Sequence, residues 1–272
     1  MHLAFLPLIC ALLPSAIGLV ASAPALAAPP GISLEELTWT EVRDAVKAGT
    51  TTIILPVGGT EQSGPQMALG KHNKRVRILA GRIATTLGDT LVAPVVAYVP
   101  EGSISPPSGH MRYPGTISIP DAAFKSMLEG AARSFRQTGF LHVVLIGDHG
   151  GYQNDLKDVA AALNREWAGT AARAHFIDAY YKVTRTAYVQ ALRAKGLSDA
   201  AIGSHAGAAD TSLLMAIDPS MVRTDKLDSA GGIATGITGD PRASSAALGQ
   251  LGVDQIVADT VAAIRKARQE HP

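Results

Sequence analysis

The sequence predicts an α/β fold, a three-layer α/β/α sandwich built around a mainly parallel sheet. Three observations carry this reading. Short apolar, β-branched runs alternate with longer stretches of helical period along most of the chain. The strand-like runs are apolar almost throughout, as strands covered on both faces are. Polar segments rich in glycine follow several of these runs, at the end of the sheet where an open parallel fold carries its ligand crevice.

Taken in order, helical period marks residues 40–48, and Ile53-Ile54-Leu55 lies within a strand over 51–57. A helix over 74–87 leads into a strand over 90–98, which contains Val92, Val95 and Val96. The alternation continues with a helix over 121–137, a strand over 141–147 around Val143-Val144-Leu145-Ile146, a helix over 154–168 and a strand over 174–179. Helices over 183–195, 208–217 and 244–269 complete the chain.

The first 28 residues contain no Lys, Arg, Asp or Glu, run apolar from Leu3 to Val20 and end in small residues. They read as a secretory signal, because Pro7 and Pro14 interrupt what would otherwise approach a membrane span. The expectation is a leader over 1–28 and one domain over 29–272, secreted or periplasmic, with no stable membrane association after processing. Cys10 is the only cysteine and falls in that leader. The processed chain would therefore have no disulfide, thiol nucleophile or thiolate metal ligand. A net charge of +1, from 24 basic and 23 acidic residues without a basic cluster, and an aromatic content of 5% argue against a nucleic-acid partner.

Four segments, 58–73, 102–115, 147–154 and 204–212, are expected to converge on one site. They carry His72, His110, His149 and His205, with Glu61, Asp148 and Asp210 nearby. A single loop histidine is commonly a solvated or capping residue. Four of them in convergent loops beside carboxylates favour a metal or acid/base cluster. The hydroxyl-rich loop 101–110, stiffened by Pro106-Pro107, reads equally as a substrate wall or a surface turn. Tyr180-Tyr181 reads as facing substrate or as packing.

Four ordered segments resemble the signatures of the creatininase family, the creatinine amidohydrolases and their relatives. They are Pro56-Val57-Gly58-Gly59-Thr60-Glu61-Gln62-Ser63-Gly64-Pro65, His110-Met111-Arg112-Tyr113-Pro114-Gly115-Thr116, Gly147-Asp148-His149-Gly150-Gly151 and His205-Ala206-Gly207-Ala208-Ala209-Asp210-Thr211-Ser212. The resemblance implies a divalent-metal site, often of two ions, and closed homo-oligomers. The family's glutamate falls on Glu61 and its loop histidine on His149. Its bridging aspartate falls on His72, its second-metal histidine on Ser63 and a following histidine on Gln66.

Those departures favour one ion over two. The expected ligands are Glu61, His72 and His149, with Asp210 completing the set or acting as a base. Zinc is the expected ion, manganese or iron the alternatives. The resemblance gives His205 the role of proton donor to the leaving nitrogen, beside Glu61 and Asp210 as the other catalytic groups. Ser63, Gln66, His110, Asp148 and Tyr180 are the expected substrate contacts, with Asp148 also readable as a group that orients a ligand. The implied reaction is metal-assisted hydrolysis of a C–N bond in a small linear or cyclic amide. Two alternatives stay open, an exported metal- or ligand-binding protein that no longer catalyses and a lactone-type C–O hydrolase.

Overall fold

Four strands pair entirely in parallel in the computed structural model, which describes residues 31–229 and 235–270. The leader-like segment and Cys10 lie outside those residues. The strands are β1 (Thr52–Val57), β2 (Thr90–Val92), β3 (His142–Gly147) and β4 (Arg173–Phe176), in the order β2-β1-β3-β4. β1 therefore has its sequence neighbour β2 on one side and the distant β3 on the other. Thr52 pairs with His142 and Val57 with Gly147, so β1 and β3 end in step. This reversal of direction about β1 opens a crevice at the carboxyl ends of β1 and β3.

Side chains alternate cleanly across the sheet. Ile53, Leu55, Val57, Val143 and Leu145 pack against Val42 of α1 (Trp39–Lys47), Phe124 and Leu128 of α3 (Asp121–Thr138), and Leu156 and Leu163 of α4 (Gln153–Glu166). Ile54, Val144 and Ile146 meet Val76, Leu79 and Ile83 of α2 (Lys71–Leu87) on the other face, with Val253 and Ile256 of α9 (Ala246–Glu270). Each such aliphatic side chain, fully buried, contributes about 1.5–3 kcal/mol. The expected three layers are thus present, and both faces of the sheet are covered.

Local chemistry sets the helix ends. Thr38 caps α1 through a reciprocal box, accepting from the Glu41 backbone N–H while the Glu41 carboxylate takes the Thr38 N–H at 2.7 Å. α3 stops at Gly139, whose φ of 113° is open to a residue without a Cβ.

The strand expected over 174–179 ends at Phe176, and three other boundaries differ from the sequence expectation for a local reason. β2 ends at Val92, because the next β1 donor in register is Pro56, which has no N–H to give the ladder. The chain still follows β1 beyond it, with Val96 N–H on Pro56 O at 3.0 Å and Gly58 N–H on Val96 O at 2.9 Å. The helix expected over 183–195 is split at Thr186 (φ −125°, ψ −94°) into α5 (Ala179–Arg185) and α6 (Ala187–Ala194). A one-turn helix, α7 (Asp199–Ile202), follows, capped by the Ser198 hydroxyl. α2 starts at Lys71, three residues before the expected 74, so His72 belongs to its first turn and not to a loop.

α8 (Ala208–Ile217) crosses α9 closely enough that a Cβ on Gly249 would lie 1.8 Å from the Ser212 carbonyl oxygen. Gly249→Ala should therefore cost about 3 kcal/mol in urea unfolding by forcing the two helices apart. Gly130→Ala, in α3 where a Cβ meets open space, should instead leave stability unchanged or raise it by up to about 1 kcal/mol.

Candidate active site

The Tyr152 hydroxyl fastens the ends of β1 and β3 together. It accepts the backbone N–H groups of Asp148 and His149, each at 3.1 Å, and lies 2.5 Å from Gly58 O and 2.8 Å from Val57 O, to one of which it donates. Behind this pin the chain leaves β1 into the loop that carries Glu61. Asn73 shapes that loop, taking the Gly59 N–H on Oδ1 at 2.9 Å and donating to Thr60 Oγ1 at 3.1 Å. A Cβ on Gly58 would collide with the same side chain.

Glu61 is completely buried, and its two oxygens face different groups. Oε1 lies 2.7 Å from His72 Nε2, 3.6 Å from Lys71 Nζ and 3.7 Å from His205 Nδ1. Oε2 faces His110 Nε2 at 3.0 Å and His149 Nε2 at 3.5 Å, neither aligned as a hydrogen bond. Beneath these groups lies a charged lattice. Arg75 Nε reaches both Asp148 oxygens, at 2.8 and 2.9 Å, and its Nη1 donates to Asp210 Oδ1 at 3.0 Å. Tyr180 OH donates to Asp148 Oδ2 at 2.7 Å, and Lys71 Nζ to Asp210 Oδ2 at 3.3 Å.

Charge states follow from these neighbours. Burial alone would push the Glu61 carboxyl up, but the His72 hydrogen bond and the Lys71 charge outweigh it and hold it well below the usual range. Asp148 and Asp210 stay ionised in the same way, despite burial, the first beside Arg75 and the second beside Lys71 and Arg75. Glu101 goes the other way: burial, with Glu61 alongside, pushes it up to about 9. Burial brings His149 down to about 4, and burial with the Lys71 charge brings His205 down to about 3, so both are neutral at pH 7.

His205 is set by its loop. Its Nε2 lies 3.1 Å from both the backbone oxygen and the side-chain nitrogen of Gln62, and its Nδ1 faces Glu61 Oε1 at 3.7 Å. The next residue, Ala206, has φ +57°, unusual for a side chain with a Cβ. That backbone is held on both sides: its N–H donates to Asp210 Oδ2 at 3.0 Å, and its carbonyl accepts from Gln66 Nε2 at 2.8 Å. Gln62 Nε2 lies 3.0 Å from His110 Nδ1 and donates to Gly236 O at 3.1 Å.

The structure thus brings Glu61, His72, His110, Asp148, His149, His205 and Asp210 together. Ser63, Gln66 and Tyr180 are buried and line neither neighbouring cavity. Gln66 supports the 205–211 turn, Tyr180 is bonded to Asp148, and it is Tyr181 that faces a cavity. Glu101, Lys71, Arg75 and Gln62 were not among the residues expected from sequence. Glu101 follows an apolar run just as Glu61 does, and Lys71 would have stood out had the helix start been placed at its true position.

A divalent cation fits one subset of these groups. Ligand atoms of Glu61, Glu101, His110 and His149 lie within 4.8 Å of one another. Three of the oxygens, Glu61 Oε2 and both of Glu101, have no hydrogen-bond partner among the described residues. Buried carboxylate oxygens are rarely left so, and two neutral imidazoles complete a set suited to zinc or manganese. This set shares Glu61 and His149 with the expected one and differs in the other two members. Both His72 nitrogens already face carboxylates, Glu61 at 2.7 Å and Asp148 at 2.5 Å, while Asp210 is spent on Lys71, Arg75 and the Ala206 N–H.

The creatininase family profile, described as creatinine amidohydrolase, matches residues 35–264. The chain belongs to the creatininase family. It is 29% identical over 221 residues to the mycofactocin precursor peptide peptidase of Mycolicibacterium smegmatis, covering 73% of this chain and 78% of that protein. It is 28% identical over 197 residues to the creatinine amidohydrolase of Pseudomonas putida, covering 71% and 74%. Solved creatininases, one a manganese form and one a variant of zinc–zinc type, superpose with TM-scores of 0.71 and 0.72 at 25% identity, covering 89% of this chain and 99% of theirs.

Tyr152→Phe removes the acceptor of two buried N–H groups. It should cost about 1–3 kcal/mol in urea unfolding, with the slope of the transition unchanged.

Proposed function

We propose that the chain is a metal-dependent hydrolase that cleaves a C–N bond in a small linear or cyclic amide. The observation that supports this best is the buried group of Glu61, Glu101, His110 and His149 with three unpartnered oxygens, beside a neutral His205 whose Nδ1 faces Glu61. A cation held there would supply Lewis acidity toward a carbonyl and make water a nucleophile at neutral pH. Zinc is the proposed ion, with manganese as the alternative, at one per chain.

The chain's own groups account for the rest of the chemistry. His205 Nδ1 can take a proton on the Glu61 side and pass it to the departing nitrogen. Gln62 keeps this ring in place from below and orients His110 with its amide. Asp210, ionised and tied to Lys71 and Arg75, anchors the cations and the 205–207 turn. Two cavities of about 110 and 390 Å³ share His149, Ser204 and His205 in their walls. The larger is at the small end of ligand sites, in keeping with a substrate of modest size. The leader-like segment 1–28 supports work in the periplasm or outside the cell, and the family resemblance supports a homo-oligomer.

The competing reading, a metal- or ligand-binding protein without turnover, draws on His72 and Ser63 at positions where the resemblance expects ligands. A panel of amides, lactams and lactones separates the two. Turnover of an amide, lowered at least a hundredfold in Glu61→Gln with the fold intact, is the expected result. Stoichiometric retention of ligand with no product from any of them would leave the binding reading in place, and turnover of lactones alone would move the reaction to a C–O bond.

The ligand set has its own test in equilibrium zinc titration. Glu101→Gln and His110→Ala should each weaken binding more than about a hundredfold, beyond the roughly tenfold loss expected of His72→Gln, because His72 only hydrogen-bonds a member of the set.

A further inference from the structure

The two oxygens of Glu61 do not share a neighbourhood. Oε2 belongs to the group that fits a divalent ion, whereas Oε1 faces Lys71, whose ammonium is only 1% exposed and sits 3.6 Å from Oε1 and 3.3 Å from Asp210 Oδ2. His72 Nε2 and His205 Nδ1 approach the same Oε1 at 2.7 and 3.7 Å. The point between Glu61 Oε1 and Asp210 Oδ2 has oxygen donors of the kind a hard divalent ion takes. Here that point is filled by a side chain rooted in the first turn of α2.

We propose that the Lys71 ammonium is a built-in cation of this site, standing beside Glu61 Oε1 where a second divalent ion would otherwise bind, so that the chain takes a single ion. The inference rests on the metal-dependent reading above and specifies its stoichiometry from this chain's own residues. Charge balance supports it. Four carboxylates, Glu61, Glu101, Asp148 and Asp210, face two permanent cations, Lys71 and Arg75. At most two negative charges are left, which one divalent ion cancels. A second divalent ion would leave the site strongly positive and out of water, which is costly.

Lys71 also explains why His72 can replace a carboxylate at its position. With the cation supplied by the protein, no oxygen is needed there to span two ions. The imidazole instead links Glu61 to Asp148, the two carboxylates on either side of it.

The test is zinc stoichiometry by native mass spectrometry and elemental analysis on the full chain, reconstituted in excess zinc, for wild type and Lys71→Met. Methionine keeps the length of the stem and removes the charge. One ion in wild type and two in Lys71→Met is the expected result, with zinc raising the Tm of the variant more than that of wild type. One ion in both overturns the assignment of Lys71 while leaving the hydrolase reading standing; none in either removes both. Should Lys71→Met fail to fold, wild type decides alone: a second ion binding within tenfold of the first overturns the proposal.

Discussion

A carboxylate taken out of water must be met by opposite charge or by donors, and the complete burial of Glu61 imposes that demand at the point where β1 ends. Much of what surrounds it can be read as the answer. Lys71 and His72 come from one turn of α2, His110 from the segment that runs past β1, His149 from the end of β3, and His205 from the turn before α8. Lys71 in turn requires Asp210, Arg75 requires both Asp148 and Asp210, and Asp148 takes the Tyr180 hydroxyl. One buried charge at the mouth of the sheet thus ties five segments of chain into a single polar network, in which each member satisfies another.

The fold was legible because parallel strands covered on both faces leave an unambiguous mark. Ile53-Ile54-Leu55 and Val143-Val144-Leu145-Ile146 have no solvent face to encode, so their uninterrupted apolar character announces their position. Where the reading slipped, backbone chemistry decided. Pro56, with no N–H to give, ended a ladder that composition alone would have continued, and Thr186 broke a helical pattern whose period ran on. The site was legible as a set of residue types in convergent loops, which is why Glu61, His110, His149 and His205 were anticipated. What sequence could not give was direction. His72 has the look of a ligand, yet its two nitrogens are directed at carboxylates, and Glu101, in a loop read as a substrate wall or a surface turn, is the carboxylate whose oxygens are unclaimed.

Relatives of this chain include a peptidase and a creatinine amidohydrolase, so the family scaffold does not by itself dictate the substrate. The parts of the present site divide accordingly. Glu61, His149 and the Tyr152 pin are set by the ends of the central strands. The walls of the larger cavity, with Arg112 and Tyr113, come in part from a connecting segment outside the sheet. Differences in what is recognised can therefore accumulate without disturbing the charged floor.

The strand pairing has a kinetic side as well. Thr52 must find His142, about 90 residues further along, before β1 and β3 can align, and no pair in this sheet is a local hairpin. Closing such long loops is slow, so α-helices such as α3 and α9 can form well before the sheet is complete. Glu61 and His149 hang from the last pairing to close. Until β1 and β3 have zipped together there is no cluster for an ion to enter, and a bound ion acts only on the finished protein, slowing its loss and leaving the search that made it unassisted.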